Sequence, residues 1–345
     1  MKVAVLKSPY RIDIEEKSIP NLEPGWVLVD VFSAGICGSD LHFYYGKIPI
    51  TQEEIRGHEI VGQVKDPGDS NFQIGDEVIV SPLIGCDSCQ ACTRGEKHLC
   101  EKLTAIGGPY PGGFAEFVAV PEEQLYKFDS SKLQYDHAVL ADCVAVALHA
   151  INKINFKKGE TVVIIGDGAI GLLLVQMSHI YGAKKIYLAG KHKHNLDLGL
   201  QFGADKVIQT PLDLKTAKEQ IDFVEPDVVF EAAGGSNPSL GIGVSILRKG
   251  GRLGLLGFID IENVEVSWLD VVMGEKEIVG IMGYSTWNGR DEMRDTISLM
   301  EKHKFDLETL ITDRISLENI NDGFKALMDK KKSKSIKVII QKNFK

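Results

Sequence analysis

The chain has 345 residues, which is enough for two or three folded domains with substantial cores. Hydrophobic residues make up 44% and charged residues 25%, so the composition excludes a chain that is mainly disordered. The formal net charge is −9, from 39 Lys plus Arg against 48 Asp plus Glu. This acidity argues against nucleic acid as a partner, because binding to phosphates depends on a basic surface.

Neither a leader nor a membrane span is predicted. The apolar run Val3–Leu6 is too short for a signal-peptide core, and no stretch approaches the roughly 18 apolar residues of a membrane helix. Four of the six cysteines cluster between Cys86 and Cys100, a pattern that in a reducing compartment favours metal binding over disulfides. We therefore expect a cytoplasmic protein without a membrane partner.

The first 150 residues alternate short β segments with loops rich in Gly and Pro. This rhythm predicts an irregular β barrel or sandwich. The predicted strands are Val27–Phe32, Ile60–Val64, Glu77–Val80 and Phe114–Val120.

From about Gly159 the pattern changes to alternating strands and helices, which predicts a doubly wound parallel sheet. After about Tyr284 the chain returns to helical segments and one last strand, which we expect to complete the first domain. The predicted helices are Ala169–Tyr181 and Asn195–Phe202, and the predicted strands are Thr161–Ile165, Lys185–Ala189, Val207–Ile208, Val228–Glu231, Arg252–Gly257 and Ile336–Gln341.

Four cysteines lie within fifteen residues in a C-x2-C-x2-C-x7-C pattern. Their spacing suits a closed tetrahedral zinc site that stabilises a loop. An iron–sulfur cluster would use the same ligand type, and four unrelated core cysteines are the remaining alternative. Closed ligation indicates a structural rather than a catalytic role for Cys86, Cys89, Cys92 and Cys100.

A second cluster surrounds Cys37, in G-I-C-G-S-D-L-H, and continues at His58 and Glu59, in G-H-E. One thiolate, one imidazole and nearby carboxylates could hold a zinc ion that keeps an open position for substrate. Taken singly, a buried Cys usually packs as a small apolar residue and a His usually makes ordinary hydrogen bonds. Their combination favours the metal site.

The third motif is G-D-G-A-I-G at residues 166–171, between a predicted strand and a predicted helix. Gly166 permits the tight turn, Gly168 lets the backbone approach a pyrophosphate, and Gly171 permits close helix packing, with Ala169 and Ile170 opening the helix. A Gly-rich turn can also be a mere connection, but its position between strand and helix favours dinucleotide binding.

With these motifs, the chain resembles the zinc-containing medium-chain dehydrogenase/reductase family of alcohol and polyol dehydrogenases over essentially its whole length. C-G-S-D-x-H, G-H-E, the four cysteines, G-G-F-A-E-F at 112–117 and G-x-G-x-x-G follow the family order. The resemblance implies an α/β protein. Residues 1–150, completed by about 285–345, would form a GroES-like irregular β-barrel catalytic domain, and residues 151–284 a Rossmann domain with a doubly wound parallel sheet.

The resemblance also implies roles around a catalytic zinc. Cys37 and His58 would be ligands, Asp40 would orient His58, and Glu59 would be a ligand or a nearby exchangeable carboxylate. The polyol-type members carry Glu-Pro seven residues before a His, where this chain has Asp142 and Cys143. Asp142 is the favoured further ligand; Cys143 is a competing thiol, or else a packed helix residue.

Other implied roles concern proton transfer and the second metal. Ser39 and His42 match positions that pass the substrate hydroxyl proton outward. Lys337 matches a position that can neutralise cofactor phosphate, with an ordinary surface lysine as the alternative. The structural-zinc role falls on Cys86, Cys89, Cys92 and Cys100.

The end of the second Rossmann strand departs from the NAD-specific pattern. Such relatives place an acid where Gly190 stands, because its carboxylate binds the ribose hydroxyls and repels a 2′-phosphate. Gly190 should leave room, and Lys191, His192 and Lys193 offer positive charge or donors, so NADP(H) is predicted over NAD(H). A solvated basic helix start is the alternative.

The predicted activity is hydride transfer between NADP(H) and the secondary alcohol of a polyol, sugar, cyclitol or amino alcohol, or the matching ketone. Two zinc ions per chain and a homodimer or homotetramer are expected from the resemblance. Polar Ser39, Tyr45 and Glu59 favour a small hydroxylated or keto substrate. An NAD-dependent threonine or short-chain secondary alcohol dehydrogenase is one alternative, and a non-catalytic nucleotide-binding protein on the same fold is another.

Overall fold

The computed structural model describes residues 1–50, 53–210, 216–235, 238–258, 265–302 and 305–342. Its strands in chain order are β1 Lys2–Ser8, β2 Arg11–Glu16, β3 Trp26–Ile36, β4 Glu59–Asp66, β5 Glu77–Val80, β6 Leu83–Ile84, β7 Thr104–Ala105, β8 Phe117–Pro121, β9 Leu125–Lys127, β10 Thr161–Ile165, β11 Lys185–Gly190, β12 Lys206–Gln209, β13 Val228–Glu231, β14 Arg252–Leu255, β15 Glu277–Gly280, β16 Thr286–Trp287, β17 Arg290–Asp291, β18 Ile311–Ile315 and β19 Lys337–Gln341.

The α-helices among these residues are α1 Gly38–Tyr44, α2 Gln90–Thr93, α3 Tyr135–Ala138, α4 Ala141–Lys153, α5 Ala169–Ile180, α6 Lys193–Gln201, α7 Ala217–Gln220, α8 Ser239–Ile246, α9 Trp268–Gly274, α10 Glu292–Glu301, α11 Ile320–Met328 and α12 Lys330–Ser333. Short 3₁₀ turns cover Lys97–Leu99, Glu122–Gln124, Glu308–Leu310 and Leu317–Asn319. No described helix is both long enough and apolar enough to cross a lipid bilayer.

The chain divides into two compact units. Unit 1 comprises Met1–Asp142 and Ser285–Lys345, and unit 2 comprises Cys143–Tyr284. The division falls in the first turn of α4, whereas the sequence pattern, which changes near Gly159, placed it after residue 150. Unit 1 therefore contains segments from both sides of unit 2 in the chain.

Unit 1 is built on a mixed sheet in the order β18-β19-β3-β4-β5-β9, with β8 also paired to β3. The eleven-residue β3 contacts β4, β8 and β19, and its register with β4 shifts at two places. Such bulges increase the local twist, which lets one long strand pair with several partners. The predicted strand Phe114–Val120 begins only at Phe117, and Phe114 instead packs, 1% exposed, in the core.

The strand register brings three distant segments to one edge of this sheet. Gly35 of β3 pairs with Glu59 of β4, and Ile36 pairs with Val338 of β19. Cys37 directly follows β3, and His58 directly precedes β4. Local pairing alone therefore places the C-G-S-D and G-H-E motifs side by side.

Unit 2 contains a parallel sheet of described strands in the order β12-β11-β10-β13-β14-β15. This is the doubly wound arrangement in which the strand order reverses beside the first strand of the unit, here β10. Val162 to Ile165 are fully buried, as expected of a parallel strand covered on both faces. The α/β prediction, a GroES-like unit plus a Rossmann unit, is confirmed.

Candidate active site

The four clustered cysteines lie together in unit 1. Their Sγ atoms all fall within 4.8 Å of one another. The chain packs tightly around them, because a Cβ on Gly85 would lie 2.8 Å from Cys92 Sγ. The donor set of four sulfurs fits a tetrahedral zinc ion. It would leave no coordination position on the metal open for substrate.

Hydrogen bonds already favour thiolate in this group. The Ser88 hydroxyl and the backbone N–H groups of Ser88 and Cys89 lower the pKa of Cys86 to about 5, whereas burial raises the pKa of Cys92 to about 12. Zinc must therefore displace protons from part of the group when it binds.

The second metal-ligand group contains Cys37, His58 and Glu59. One ligand atom from each lies within 4.8 Å of those of the other two. Cys37 precedes the first turn of α1, and its N–H donates to Asp40 Oδ2 at 3.0 Å. This bond fixes the turn that presents the thiol, so the donor set of thiolate, imidazole and carboxylate is held in place and fits zinc.

The surroundings of His58 are strongly negative. Burial by itself lowers the pKa of His58, but the charges of Cys37, Asp40 and Asp142 and a hydrogen bond with Cys37 raise that pKa well above its ordinary value. The same charges would stabilise a divalent cation. Asp40 Oδ1 lies 3.9 Å from His58 Nδ1, so Asp40 acts here as a nearby charge rather than through a hydrogen bond.

Arg56 is a further residue at this site that the sequence analysis did not identify. Its Nε lies 3.4 Å from Asp40 Oδ1, its Nη1 pairs with Glu54, and its guanidinium stacks 3.5 Å from the ring centre of Phe43. These contacts hold the buried Asp40 carboxylate in place.

Glu59 forms an ion pair with Lys337 inside unit 1. The two residues are 0% and 2% exposed. They lie on β4 and β19, which flank β3, and they meet above Gly35: a Cβ there would stand 1.8 Å from Glu59 Oε2 and 3.1 Å from Lys337 Cε. A side chain at residue 35 would therefore displace the Glu59 carboxylate from this position. The predicted contact of Lys337 with cofactor phosphate stays a prediction.

The other predicted residues of unit 1 take these positions. Ser39 is exposed and His42 is half-buried, and their i, i+3 spacing on α1 puts them on one face of the helix. Asp142 is buried outside the group of three ligands, although its charge acts on His58. Cys143, the first residue of unit 2, is buried in α4.

The Gly-rich turn of unit 2 joins β10 to α5. Gly166 has φ +128°, and a Cβ there would stand 2.6 Å from the Ala232 carbonyl carbon. A Cβ on Gly171 would stand 1.8 Å from Gly166 O, so Gly171 lets the helix pack on the turn. At Gly168 no described atom lies within 4 Å of a Cβ position, which leaves open space at the N-terminus of a twelve-residue helix. Ala169 and Ile170, both half-buried, form its first turn, and this cradle fits a pyrophosphate.

The space beside Gly190 is not empty, contrary to the expectation from the sequence. A Cβ on Gly190 would stand 2.4 Å from Asp167 Cγ and 2.6 Å from its Oδ2. The His192 N–H donates to the same Oδ2 at 2.6 Å. Lys191 and Lys193 are exposed, and Lys193 pairs with Asp197 at 3.0 Å.

Comparison with known proteins agrees with this arrangement. Residues 23–130 match the alcohol dehydrogenase GroES-like domain, and residues 169–302 match the zinc-binding dehydrogenase domain. The chain is 30% identical over 351 residues to a protein of Aspergillus fumigatus named "Probable D-xylulose reductase A", covering 97% of this chain and 95% of that protein. The chain belongs to the zinc-containing medium-chain alcohol and polyol dehydrogenases.

Two solved structures that are similar to this chain hold a nicotinamide dinucleotide. An alcohol dehydrogenase of Escherichia coli CFT073 in complex with NADH is 26% identical, with a TM-score of 0.90, and a Sinorhizobium meliloti 1021 protein described as a zinc-binding dehydrogenase, bound to NADP, is 28% identical, with a TM-score of 0.88. Each comparison covers 99% of both chains. The present protein is thus an oxidoreductase of the zinc-type dehydrogenases.

Replacing Cys92 with Ser should remove one zinc ion per chain and lower the melting temperature, because the loop around the four sulfurs loses its cross-link. Metal analysis and calorimetry check both effects. Cys143→Ala is the matched control, since this buried cysteine lies outside both ligand groups. A full zinc content in Cys92→Ser would contradict the site.

Breaking the buried pair on one side, by Glu59→Gln or Lys337→Met, should cost about 3–5 kcal/mol of unfolding free energy, because a buried charge loses its partner. The double variant should lose less than the sum of the two. Urea unfolding of zinc-free protein measures this. Lys2→Met, which opens the exposed Lys2–Glu318 pair, should change little. Additive losses would show that the two charges act independently.

Variants at two glycines of the turn should distinguish an effect on folding from an effect on dinucleotide binding. Gly171→Ala should lower the melting temperature by about 5 °C or more, because its Cβ overlaps Gly166 O. Gly168→Ala should keep the fold and weaken dinucleotide binding, since its methyl group enters the open cradle. Thermal unfolding and NADH fluorescence titration measure the two effects, and the reverse pattern would refute the cradle.

Proposed function

We propose that this dehydrogenase oxidises a secondary alcohol of a small hydroxylated compound, or reduces the matching ketone, at a zinc ion held by Cys37 and His58. The observation that carries the proposal is the convergence of Cys37, His58 and Glu59 within 4.8 Å at one edge of the unit 1 sheet. A set of three protein ligands of these types leaves a fourth position for substrate.

When bound, zinc supplies a Lewis acid that favours loss of the alcohol proton. Cys37 contributes a negative thiolate, and Asp40 and Asp142 add charge that holds a cation at this place. The exposed Ser39 hydroxyl takes up the substrate proton, and His42, one turn along α1, passes it outward. Asp142 is proposed as a further ligand, and Glu59, which pairs with Lys337, as a nearby carboxylate that would exchange with it, so that one position stays open for substrate.

A polyol, sugar, cyclitol or amino alcohol is the proposed substrate class. The relative named as a D-xylulose reductase supports a polyhydroxylated substrate. Ser39 and Tyr45, on and directly after α1, carry hydroxyl groups that suit such a compound better than a long alkyl chain. The closed cysteine group would hold a second, structural zinc ion.

The second substrate is a nicotinamide dinucleotide bound at the glycine turn of unit 2. The NADP(H) preference predicted from Gly190, Lys191, His192 and Lys193 assumed free space beside Gly190, and Asp167 fills that space. The preference stays a prediction, with Lys191 for it and Asp167 against it. A homodimer or homotetramer likewise stays a prediction.

The test compares turnover by the parent protein and by Cys37→Ser. Turnover is measured as the change in nicotinamide absorbance with polyols, cyclitols, amino alcohols and simple secondary alcohols as substrates. We expect alcohol-dependent reduction in the parent and none in the variant, because the catalytic metal loses its thiolate. NADH binding should survive, since the glycine turn belongs to unit 2. Turnover near the parental level would refute the proposed metal.

A further inference from the structure

Asp167, the second residue of the G-D-G turn, has a carboxylate fixed at the end of β11. Its Oδ2 accepts the backbone N–H of His192 at 2.6 Å, and both oxygens lie 3.2 Å from His192 Nδ1. Its main-chain oxygen accepts from Asn195 Nδ2 at 2.7 Å. Asp167 is only 7% exposed. The carboxylate is therefore held in one orientation rather than solvated on a loop.

This carboxylate lies in the volume of a side chain at position 190. Ile165 pairs with Ala189, and Gly166 N–H donates to Ala189 O at 2.8 Å, so the residues that follow β10 and β11 lie next to each other. A Cβ on Gly190 would lie 2.3–2.6 Å from Asp167 Cβ, Cγ and Oδ2. No side chain can be added at 190 unless Asp167 moves away.

In dinucleotide-binding folds, an acid at the end of the second strand accepts hydrogen bonds from the adenosine ribose, and its charge excludes a 2′-phosphate. We propose that Asp167 supplies this acid in place of residue 190 and selects NAD(H) over NADP(H). The proposal rests on the proposed function only in taking the glycine turn as a dinucleotide site. It reverses the cofactor preference predicted from the sequence.

The neighbouring lysines do not offset this charge. Lys191 and Lys193 are exposed, so solvent and salt screen them, and Lys193 is paired with Asp197. Asp167 is buried against Gly190, where its repulsion of a phosphate is screened less.

The experiment measures dissociation constants of NADH and NADPH for the full-length protein by nicotinamide fluorescence. The parent should bind NADH more tightly than NADPH by on the order of 10- to 100-fold. Asp167→Asn keeps the shape and removes the charge, so it should tighten NADPH binding by about tenfold or more and leave NADH within a few-fold. Tighter NADPH than NADH in the parent, or equal effects of the variant on both, would overturn the proposal.

Asp222→Asn is the matched control, because it removes the same charge from an exposed side chain of unit 2 paired with Lys206. This variant should change the dissociation constant of neither NADH nor NADPH. If it changed the NADPH constant as much as Asp167→Asn does, net charge would explain the effect and the proposal would be overturned. If Asp167→Asn fails to fold, the parent is titrated with ADP and with 2′,5′-ADP. Tighter ADP supports Asp167 as the selecting residue, and tighter 2′,5′-ADP refutes it.

These binding measurements are independent of turnover. A protein that prefers NADH and ADP but oxidises no alcohol would refute the proposed reaction and support the role of Asp167. A protein that turns over alcohol and binds both dinucleotides equally would refute only the role of Asp167.

Discussion

The buried ion pair between Glu59 and Lys337 is the interaction on which unit 1 depends most. Two charges removed from water are tolerated only if each has its partner, and these partners are 278 residues apart in the chain. They meet across β3, above Gly35, at the sheet edge that also presents Cys37 and His58. One electrostatic requirement thus links the position of β19, the absence of a side chain at residue 35 and the position of the Glu59 carboxylate.

Charge balance at this edge explains how the carboxylates of Asp40 and Glu59 can lie buried beside the metal-ligand group. Asp40 is buried beside Arg56, and Glu59 beside Lys337, so each carboxylate has a cation of its own. What remains is the negative potential that acts on His58. A protein can keep such a negative potential in its interior when a bound divalent cation balances it, and the zinc ion of a zinc-type dehydrogenase is such a cation.

Features that depend on neighbouring residues could be predicted from the sequence, whereas two contacts that depend on the pairing between strands were missed. The continuous apolar runs Thr161–Ile165 and Val228–Glu231 are strands with the predicted bounds, and the spacing of the four cysteines was enough to group them. Asp167 beside Gly190 and Lys337 beside Glu59 result from pairing between strands, which a local pattern does not contain. The only sequence signal for the first contact was an acid inside the glycine turn, next to a strand that lacks its own.

Unit 1 is formed by two segments of the chain that are separated by the whole of unit 2. All of unit 2 precedes β18 and β19 in the chain, so a ribosome completes the nucleotide-binding unit while the catalytic sheet still lacks two strands. The interior around Glu59 cannot close until residue 337 has been translated. The buried partner of Glu59 therefore becomes available only after all of unit 2 has been synthesised.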